Sequence, residues 1–341
     1  MSVSGEPPLS YDSENRPTVA RIGIVTPAPP GSRRGNRVTA DRWAVRLAQL
    51  GHSVEVVEQY GDEDFDQLIV LHAGRGADSI RRFRNRHPDR PIVVAITGTD
   101  IYGSEFDAQR VNESLSEANR IVVLQPKTLD DVAQQFRSKV RVIFQSAEPP
   151  TEAEPPRAGV FEIAVVGHLR PVKDPFRAAD ASRLLGPDSA VRILHLGAAL
   201  SPDVAERARQ EALTNPRYVW LGDLPHGEAL KVMSRARLVA LTSLSEGGPA
   251  VIPEAIVTGV PLIATRVAGC VGMLGDDYPG LFEPGDTAAL AKLFCRAEHD
   301  PAFYRFLRAA CDRLRPLFHP DAEVAAWRSL LDELNVGRPV A

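Results

Sequence analysis

Two short stretches carry the residue types that binding and activating a charged small molecule would need. In TSLSEGGPAVIPEAIV, Glu246 and Glu254 stand eight positions apart around Gly247 and Gly248, directly after the apolar run RLVALTS. Pro249 and Pro253 fit there if a helix begins near Ala250, because a first-turn proline forfeits no intrahelical hydrogen bond. The amides of Gly247, Gly248 and that first turn then form an anion site, and the helix dipole favours phosphate there. Glu254, in the opening turns, is placed to accept hydrogen bonds from a pair of ribose hydroxyls, and Glu246 on the preceding loop faces a cleft. The second stretch, VVGHLRPVKDP, sets His168, Arg170 and Lys173 after another apolar run. A planar arginine fork and a mobile lysine three residues apart suit a diphosphate. Either stretch alone reads more simply as a solvated turn. Both follow strands in the same half of the chain, and that shared placement favours a site.

The elements that must hold these loops are legible as alternation. RIGIVT, HSVEVVEQ, QLIVLHA, PIVVAITG, RIVVLQ and VRVIFQSA read as buried strands, separated by segments with helical spacing such as TADRWAVRLAQLG and ADSIRRFRNRH. They predict a parallel sheet covered by helices on both faces. The Pro- and Glu-rich EPPTEAEPPRAG then interrupts the pattern as a linker. FEIAVVGHL, VRILHLG, RYVWLG, RLVALTS and VPLIAT form a second alternating series, followed by three helices and no strand from about Asp286. The organisation read from this is α/β. Residues 18–150 and 159–318 form two Rossmann-like, doubly wound domains around a linker at 151–158, and a last helical segment, 319–341, crosses back to the first domain. Ligands in such folds bind at the carboxyl ends of the strands, which makes the interdomain cleft the default site.

The chain has 341 residues, 40 Lys+Arg against 44 Asp+Glu, a net charge of -4 and 44% apolar residues. That length accommodates two or three domains with full cores. The mild acidity argues against a nucleic-acid coat, which needs a clear basic excess. Three widely spaced cysteines, Cys270, Cys295 and Cys311, allow neither a disulfide framework nor a C-x-x-C metal site and point to a reducing compartment. The polar, Pro- and Ser-rich residues 1–17 are expected to be disordered. They lack the apolar core of a signal peptide, which implies a cytoplasmic protein.

Together the two stretches resemble the donor half of retaining family 4 glycosyltransferases of the GT-B fold, in which the second domain grips a nucleotide sugar. That family pairs a Gly-Arg-Leu and a following Lys with a later E-x7-E. GHLRPVK and EGGPAVIPE stand in those places, with His168 where the arginine commonly lies and Arg170 two residues on. GSRRGNRVTADRWAVRLAQLGHSVEV looks like the family's glycine loop, helix and second strand, and the resemblance runs from residue 21 to about 335. The motifs GNRVTADRWA, LHAGRGADSI, TGTDIY, VVLQ and QSA, with GHLRPVKDP, RYVWLG, SEGG and VAGCVGMLGDDYPG, resemble more narrowly the selenosugar synthases of selenoneine biosynthesis (SenB type). Those enzymes join a sugar nucleotide, typically UDP-N-acetylglucosamine, to selenophosphate through a carbon–selenium bond. Two positions depart from that pattern: Ala250 stands where members tend to carry Asn, and the second glycine of LHAGRGA often appears as another residue.

The resemblance implies a GT-B enzyme taking UDP-N-acetylglucosamine or UDP-glucose as donor and selenophosphate as acceptor, the latter supplied by a selenophosphate synthetase. Neither metal nor cofactor is expected. Leaving-group stabilisation dominates such a reaction, and each preorganised donor is worth about 3–4 kcal/mol in that role. The implied catalytic residues are Arg170, Lys173 and Glu246. His168, Arg170, Lys173, Glu246, Gly247, Gly248 and Glu254 would hold the donor, with Glu246 on the sugar hydroxyls. An anionic acceptor needs cations and amides in the first domain. Arg33 and Arg34 lie in the first loop, and the favoured acceptor residues are Gly35, Asn36, Arg37, Thr39, His72, Arg75, Thr97, Gly98, Thr99 and Asp100. Asp100 reads equally as a site residue, paired with a nearby arginine, and as the cap of a following helix. His72 alone reads more often as a satisfied core histidine.

Other signals are weak. G-x-G in LHAGRGADSI has Ser79 at the third glycine position and lacks the acidic residue a dinucleotide site needs, so an NAD-dependent oxidoreductase is a poor fit. GDEDFD sits before a strand and reads as an acidic surface turn. The helix Gly76–His87 carries Arg81, Arg82, Arg84 and Arg86, but its apolar face, Ile80 and Phe83, is narrow for a membrane surface. The competing readings are a GT-B glycosyltransferase with a carbohydrate, thiol or glycolipid acceptor and a non-catalytic sugar-nucleotide-binding protein. No nucleic-acid or membrane partner is expected.

Overall fold

The computed structural model describes residues 19–32, 35–98, 100 and 107–334. The expected disorder of residues 1–17, and the candidates Arg33, Arg34 and Thr99, lie outside the described residues.

In the first domain, β1 (Arg21–Val25), β2 (Ser53–Val57), β3 (Gln67–Leu71), β4 (Ile92–Ile96), β5 (Arg120–Val123) and β6 (Val140–Val142) form one parallel sheet in the order β2-β1-β3-β4-β5-β6. Every residue of β3 and β4 is buried. Their runs, QLIVL and IVVAI, are almost continuously apolar because helices cover both faces of the sheet. The helices are α1 (Gly35–Gln49), α2 (Ala73–Arg86), α3 (Ala108–Glu117) and the short α4 (Thr128–Asp131).

The second domain repeats the plan. Its strands β7 (Phe161–Val166), β8 (Val191–Leu196), β9 (Tyr218–Gly222), β10 (Leu238–Leu241), β11 (Leu262–Thr265) and β12 (Leu281–Phe282) pair in parallel as β12-β11-β10-β7-β8-β9. Its helices are α5 (Arg177–Arg183), α6 (Pro202–Thr214), α7 (His226–Arg235), α8 (Val251–Thr258), α9 (Ala268–Leu274), α10 (Thr287–His299) and α11 (Pro301–Leu314). The alternation did not reveal β12, because two residues carry no periodicity. The helix expected from Ala250 starts at Val251, with Ala250 already helical in backbone as its cap.

A final helix, α12 (Pro320–Glu333), packs on the first domain. Trp327, Leu330 and Leu331 join Trp43, Leu47 and Ile24 in one buried cluster, where the Trp43 and Trp327 rings meet edge to face at 4.8 Å. Its last turn is held by Glu333, which accepts from Arg120 (2.8 Å) and Arg141 (2.7 Å), and the two guanidiniums pull that carboxyl down to about 2.

Candidate active site at the interdomain cleft

In each sheet the strand order reverses once, between β1 and β3 in the first and between β7 and β10 in the second. Loops leaving neighbouring strands on either side of a reversal diverge and open a crevice. Nearly all the candidate residues lie on the loops after these strands or after β4 beside them.

On the second domain, Lys173 and Glu246 meet. The ammonium lies 2.5 Å from Glu246 Oε1, and Ser243 Oγ donates to the same oxygen at 2.5 Å. The two loops are stitched underneath: Thr242 Oγ1 donates to the carbonyls of Lys173 and Asp174 (3.0 Å each), and Leu244 N to Val172 O (2.8 Å). The ion pair therefore sits on a braced platform at the β7–β10 crevice. Arg170, exposed, leads into the single turn Pro171–Lys173. His168 is tied into the scaffold, its Nδ1 accepting from Ala198 N at 3.2 Å, so the ring braces the β7 loop against the β8 loop. Glu254 follows in the first turn of α8. Its side chain keeps 16% exposure, and burial pushes its carboxyl up to about 7 against the opposing pull of Arg42.

On the first domain, His72 and Asp100 meet. His72 follows β3 with φ +78°, a left-handed conformation unusual for a residue with a side chain, and caps α2. Asp100 is 1% exposed; its Oδ1 lies 2.6 Å from His72 Nδ1, and its Oδ2 accepts from Thr97 N (2.7 Å) and Thr97 Oγ1 (3.0 Å). The expected arginine partner is thus replaced by His72, because β3 and β4 are neighbours and their carboxyl ends bring these side chains together. The same contacts occupy the Thr97 hydroxyl and amide that were expected to face a ligand. Thr39 is a further correction. It is 6% exposed, and its hydroxyl accepts from Gln145 Nε2 at 2.9 Å, so it serves packing. Gly35, Asn36 and Arg37 form the first turn of α1, with Arg37 paired to Asp41 at 2.9 Å. Arg75 is exposed on the first turn of α2, its amide donating to His72 Nδ1 at 3.2 Å.

The two halves touch across the cleft at Gly98 and Gly247. A Cβ built on Gly247 would lie 2.4 Å from Gly98 Cα, so the backbones approach as only glycines allow, and Gly98 has φ +82°. Gly248 packs as closely on Leu124. One turn further along α1, Arg42 forms an ion pair with Glu323 of α12 at 3.5 Å. Glu323 is fully buried: it accepts from Trp43 Nε1 (3.0 Å) and from the amide of Ser146 (3.2 Å) and its hydroxyl, and it faces Arg46 at 3.5 Å. Ser243, Arg42, His226 (3.9 Å from Glu254) and Glu323 were not found from the sequence. Ser243 sits directly after β10 and was findable by that position. Arg42 and Glu323 meet only through the α1–α12 contact and leave no local signal.

The weak signals resolve structurally. Asp62 pairs with Arg82, Glu63 caps Gly61 N at 2.7 Å, and Asp64 binds Arg90 at 2.6 Å, so the acidic turn is held by arginines. In α2, Arg81 pairs with Asp78 and Arg84 with Glu117, leaving a helix knitted to its neighbours. Among the described residues no helix is long and apolar enough to cross a membrane.

Residues 151–312 match the family model for glycosyl transferases group 1. The matched stretch runs from just before β7 into α11 and so takes in nearly the whole second domain. The chain as a whole has the GT-B fold: it superposes on sucrose-phosphate synthase from Thermosynechococcus elongatus with a TM-score of 0.77 at 17% identity, over 93% of this chain and 99% of that one. Anabaena HepE in complex with UDP gives 0.75 at 16% identity, over 93% of this chain and all of that one. Among curated relatives, the D-inositol 3-phosphate glycosyltransferase of Nocardia farcinica is 25% identical over 260 residues, covering 74% of this chain and 53% of that protein. The chain spans about half the length of the curated relatives it matches over most of its length. The residues matched by the family model include the Lys173–Glu246 pair and Glu254, while the His72–Asp100 pair lies outside them in the first domain.

Proposed function

We propose that the protein is a GT-B glycosyltransferase that binds a UDP-sugar in its second domain and passes the sugar to a small anionic acceptor held by the first. More specifically, we propose a selenosugar synthase: N-acetylglucosamine or a related hexose moves from UDP to selenophosphate, with release of UDP. The observation that carries the donor half is the meeting of Lys173 and Glu246 on braced loops at the β7–β10 crevice, opposite Gly98. HepE, which shares the fold, is described in complex with UDP, which supports the same donor class here. The selenium reading rests on the ordered motifs of the chain, and the unpaired cysteines suit a cytoplasmic setting.

In this reading Arg170 and Lys173 face the diphosphate as its bond to the anomeric carbon breaks and the electron pair leaves with UDP. The amides of Gly247 and Gly248 add donors, and such preorganised groups each contribute about 3–4 kcal/mol. Glu246 orients the sugar through its hydroxyls, and Glu254 receives the ribose. Selenium attacks the anomeric carbon as an anion, so no proton has to be removed from it. Arg37, Arg75 and the His72 ring supply the positive and polar edge for its phosphate, and the reading carries no metal or cofactor. A selenophosphate synthetase would supply the acceptor.

The His72–Asp100 contact favours a second reading: with a proton on Nδ1 toward Asp100, in place of the contact from the Arg75 amide, the ring would take a proton from a hydroxyl or thiol acceptor through Nε2. Incubation with UDP-N-acetylglucosamine and freshly made selenophosphate, followed by mass spectrometry, separates the two. A selenosugar with stoichiometric UDP is the expected outcome. UDP release only with a carbohydrate, thiol or lipid acceptor would move the assignment to the second reading, and UDP binding without turnover would leave a binding protein.

A further inference from the structure

Ser243 follows the end of β10 by two residues and is 3% exposed. Its carbonyl accepts from the hydroxyl of Thr265, the last residue of β11, at 2.7 Å, while its neighbour Thr242 is bonded to the carbonyls of Lys173 and Asp174. The backbone at Ser243 is thus fixed from both sides. Its hydroxyl donates to Glu246 Oε1 at 2.5 Å, since a carboxylate paired with an ammonium only accepts. Lys173 Nζ reaches the same oxygen, also at 2.5 Å. Both contacts fall on Oε1, and two donors take up its lone pairs. The first turn of α9 presses on the glutamate from another side: a Cβ built on Gly269 would lie 2.2 Å from Glu246 O and 2.9 Å from Glu246 Cβ. The main chain and one carboxylate oxygen of Glu246 are therefore held, while its side chain keeps 10% exposure.

We propose that Ser243 is a positioning residue for the donor sugar: it holds Glu246 by Oε1 so that Oε2 meets the sugar hydroxyls, and it goes on doing so when a diphosphate draws Lys173 away. The two donors on Oε1 differ in what they can do. Lys173 ends a flexible four-carbon stem, and its ammonium is free to turn from one anion to another. Ser243 has a short side chain on a buried, braced backbone, so it holds the carboxylate at little cost in side-chain entropy. Once the lysine serves the leaving group, the serine hydroxyl is what keeps the glutamate from swinging out of register with the sugar. The sugar's share of donor affinity then depends on a residue that touches no part of the donor.

This inference rests on the UDP-sugar reading, and the test keeps the two apart. UDP, UDP-N-acetylglucosamine and UDP-glucose are titrated by calorimetry into the full chain as wild type, Ser243→Ala, Glu246→Ala and the double variant, with folding checked by circular dichroism. Ser243→Ala is expected to weaken binding of the preferred sugar nucleotide about tenfold, the usual effect of losing a hydrogen bond to a charged group, and to leave UDP affinity within about twofold of wild type. In the Glu246→Ala background the same substitution is expected to change nothing further, because a residue that acts through Glu246 has no effect without it. Three results in folded protein overturn the role of Ser243 alone: unchanged sugar-nucleotide affinity in Ser243→Ala, an equal loss for UDP and the sugar nucleotide, or a loss that persists undiminished in the double variant. Wild-type protein that binds no sugar nucleotide overturns the donor reading and this inference with it.

Discussion

Lys173 and Glu246 lie 73 positions apart in the chain, yet the ammonium and carboxylate meet at 2.5 Å beside Ser243. The ion pair fixes the lysine at the crevice, so in the proposed donor reading a diphosphate would exchange one anion for another with little reordering. Lys173→Met is expected to lower turnover by about 10²–10³, the usual effect of losing one leaving-group donor, measured as steady-state UDP release. Glu254 supplies a pH signature. Folding raises its carboxyl to about 7, so between the ordinary carboxylate range and pH 7 the folded chain binds more protons than the unfolded one. Its contribution is therefore fully present at low pH and is lost as pH rises through 7, by at most about 3 kcal/mol. Glu254→Gln removes that titration. The unfolding free energy of the variant relative to wild type is expected to rise between pH 5 and pH 8 in urea titrations, and a constant difference would mean that Glu254 ionises normally. The sequence made Lys173, Glu246 and Glu254 legible because each follows a strand within a recognisable motif. The partner of Asp100 was not legible, since only the adjacency of β3 and β4 selects His72 over the nearby arginines.

Among the elements, the β4 loop and the loop before α8 meet across the cleft. Their contact is backbone on backbone at Gly98 and Gly247, with no room for a methyl group. Gly247→Ala places a carbon against the Gly98 backbone and holds the domains apart. Turnover is expected to fall about a hundredfold, as a misplacement near 1 Å does, while UDP affinity stays close to wild type unless closure itself supports binding. Steady-state UDP release and UDP calorimetry read the two effects separately, and unchanged turnover would show that this contact is dispensable. The strand-to-helix alternation predicted these loops and their glycines. It could not predict that two loops 149 residues apart would share one contact, because hydrophobic periodicity encodes which face of an element is buried and not which distant element covers it.

For the whole molecule, α12 straps the end of the second domain onto the first. It leaves the second domain and places Trp327 against Trp43 in the first domain's core, with Glu323 and Glu333 anchoring its two ends among arginines. Trp327→Ala removes a fully buried ring and is expected to cost about 3–5 kcal/mol. The larger consequence is loss of coupling: urea unfolding followed by tryptophan fluorescence and by circular dichroism should separate into two transitions in the variant, where the intact strap gives one. Coincident transitions in Trp327→Ala would show that the domains are joined elsewhere. The sequence by itself determined the two α/β halves, the stretch between them and the loops after β7 and β10, because these follow from local alternation, turn chemistry and position after a strand. Only the tertiary structure decided that Asp100 belongs to His72, that Thr39 serves packing, and that Arg42 pairs with Glu323. Those pairings arise where separate elements close on each other, and the free energy that selects them comes from burying charges and polar groups together, which no single stretch of chain contains.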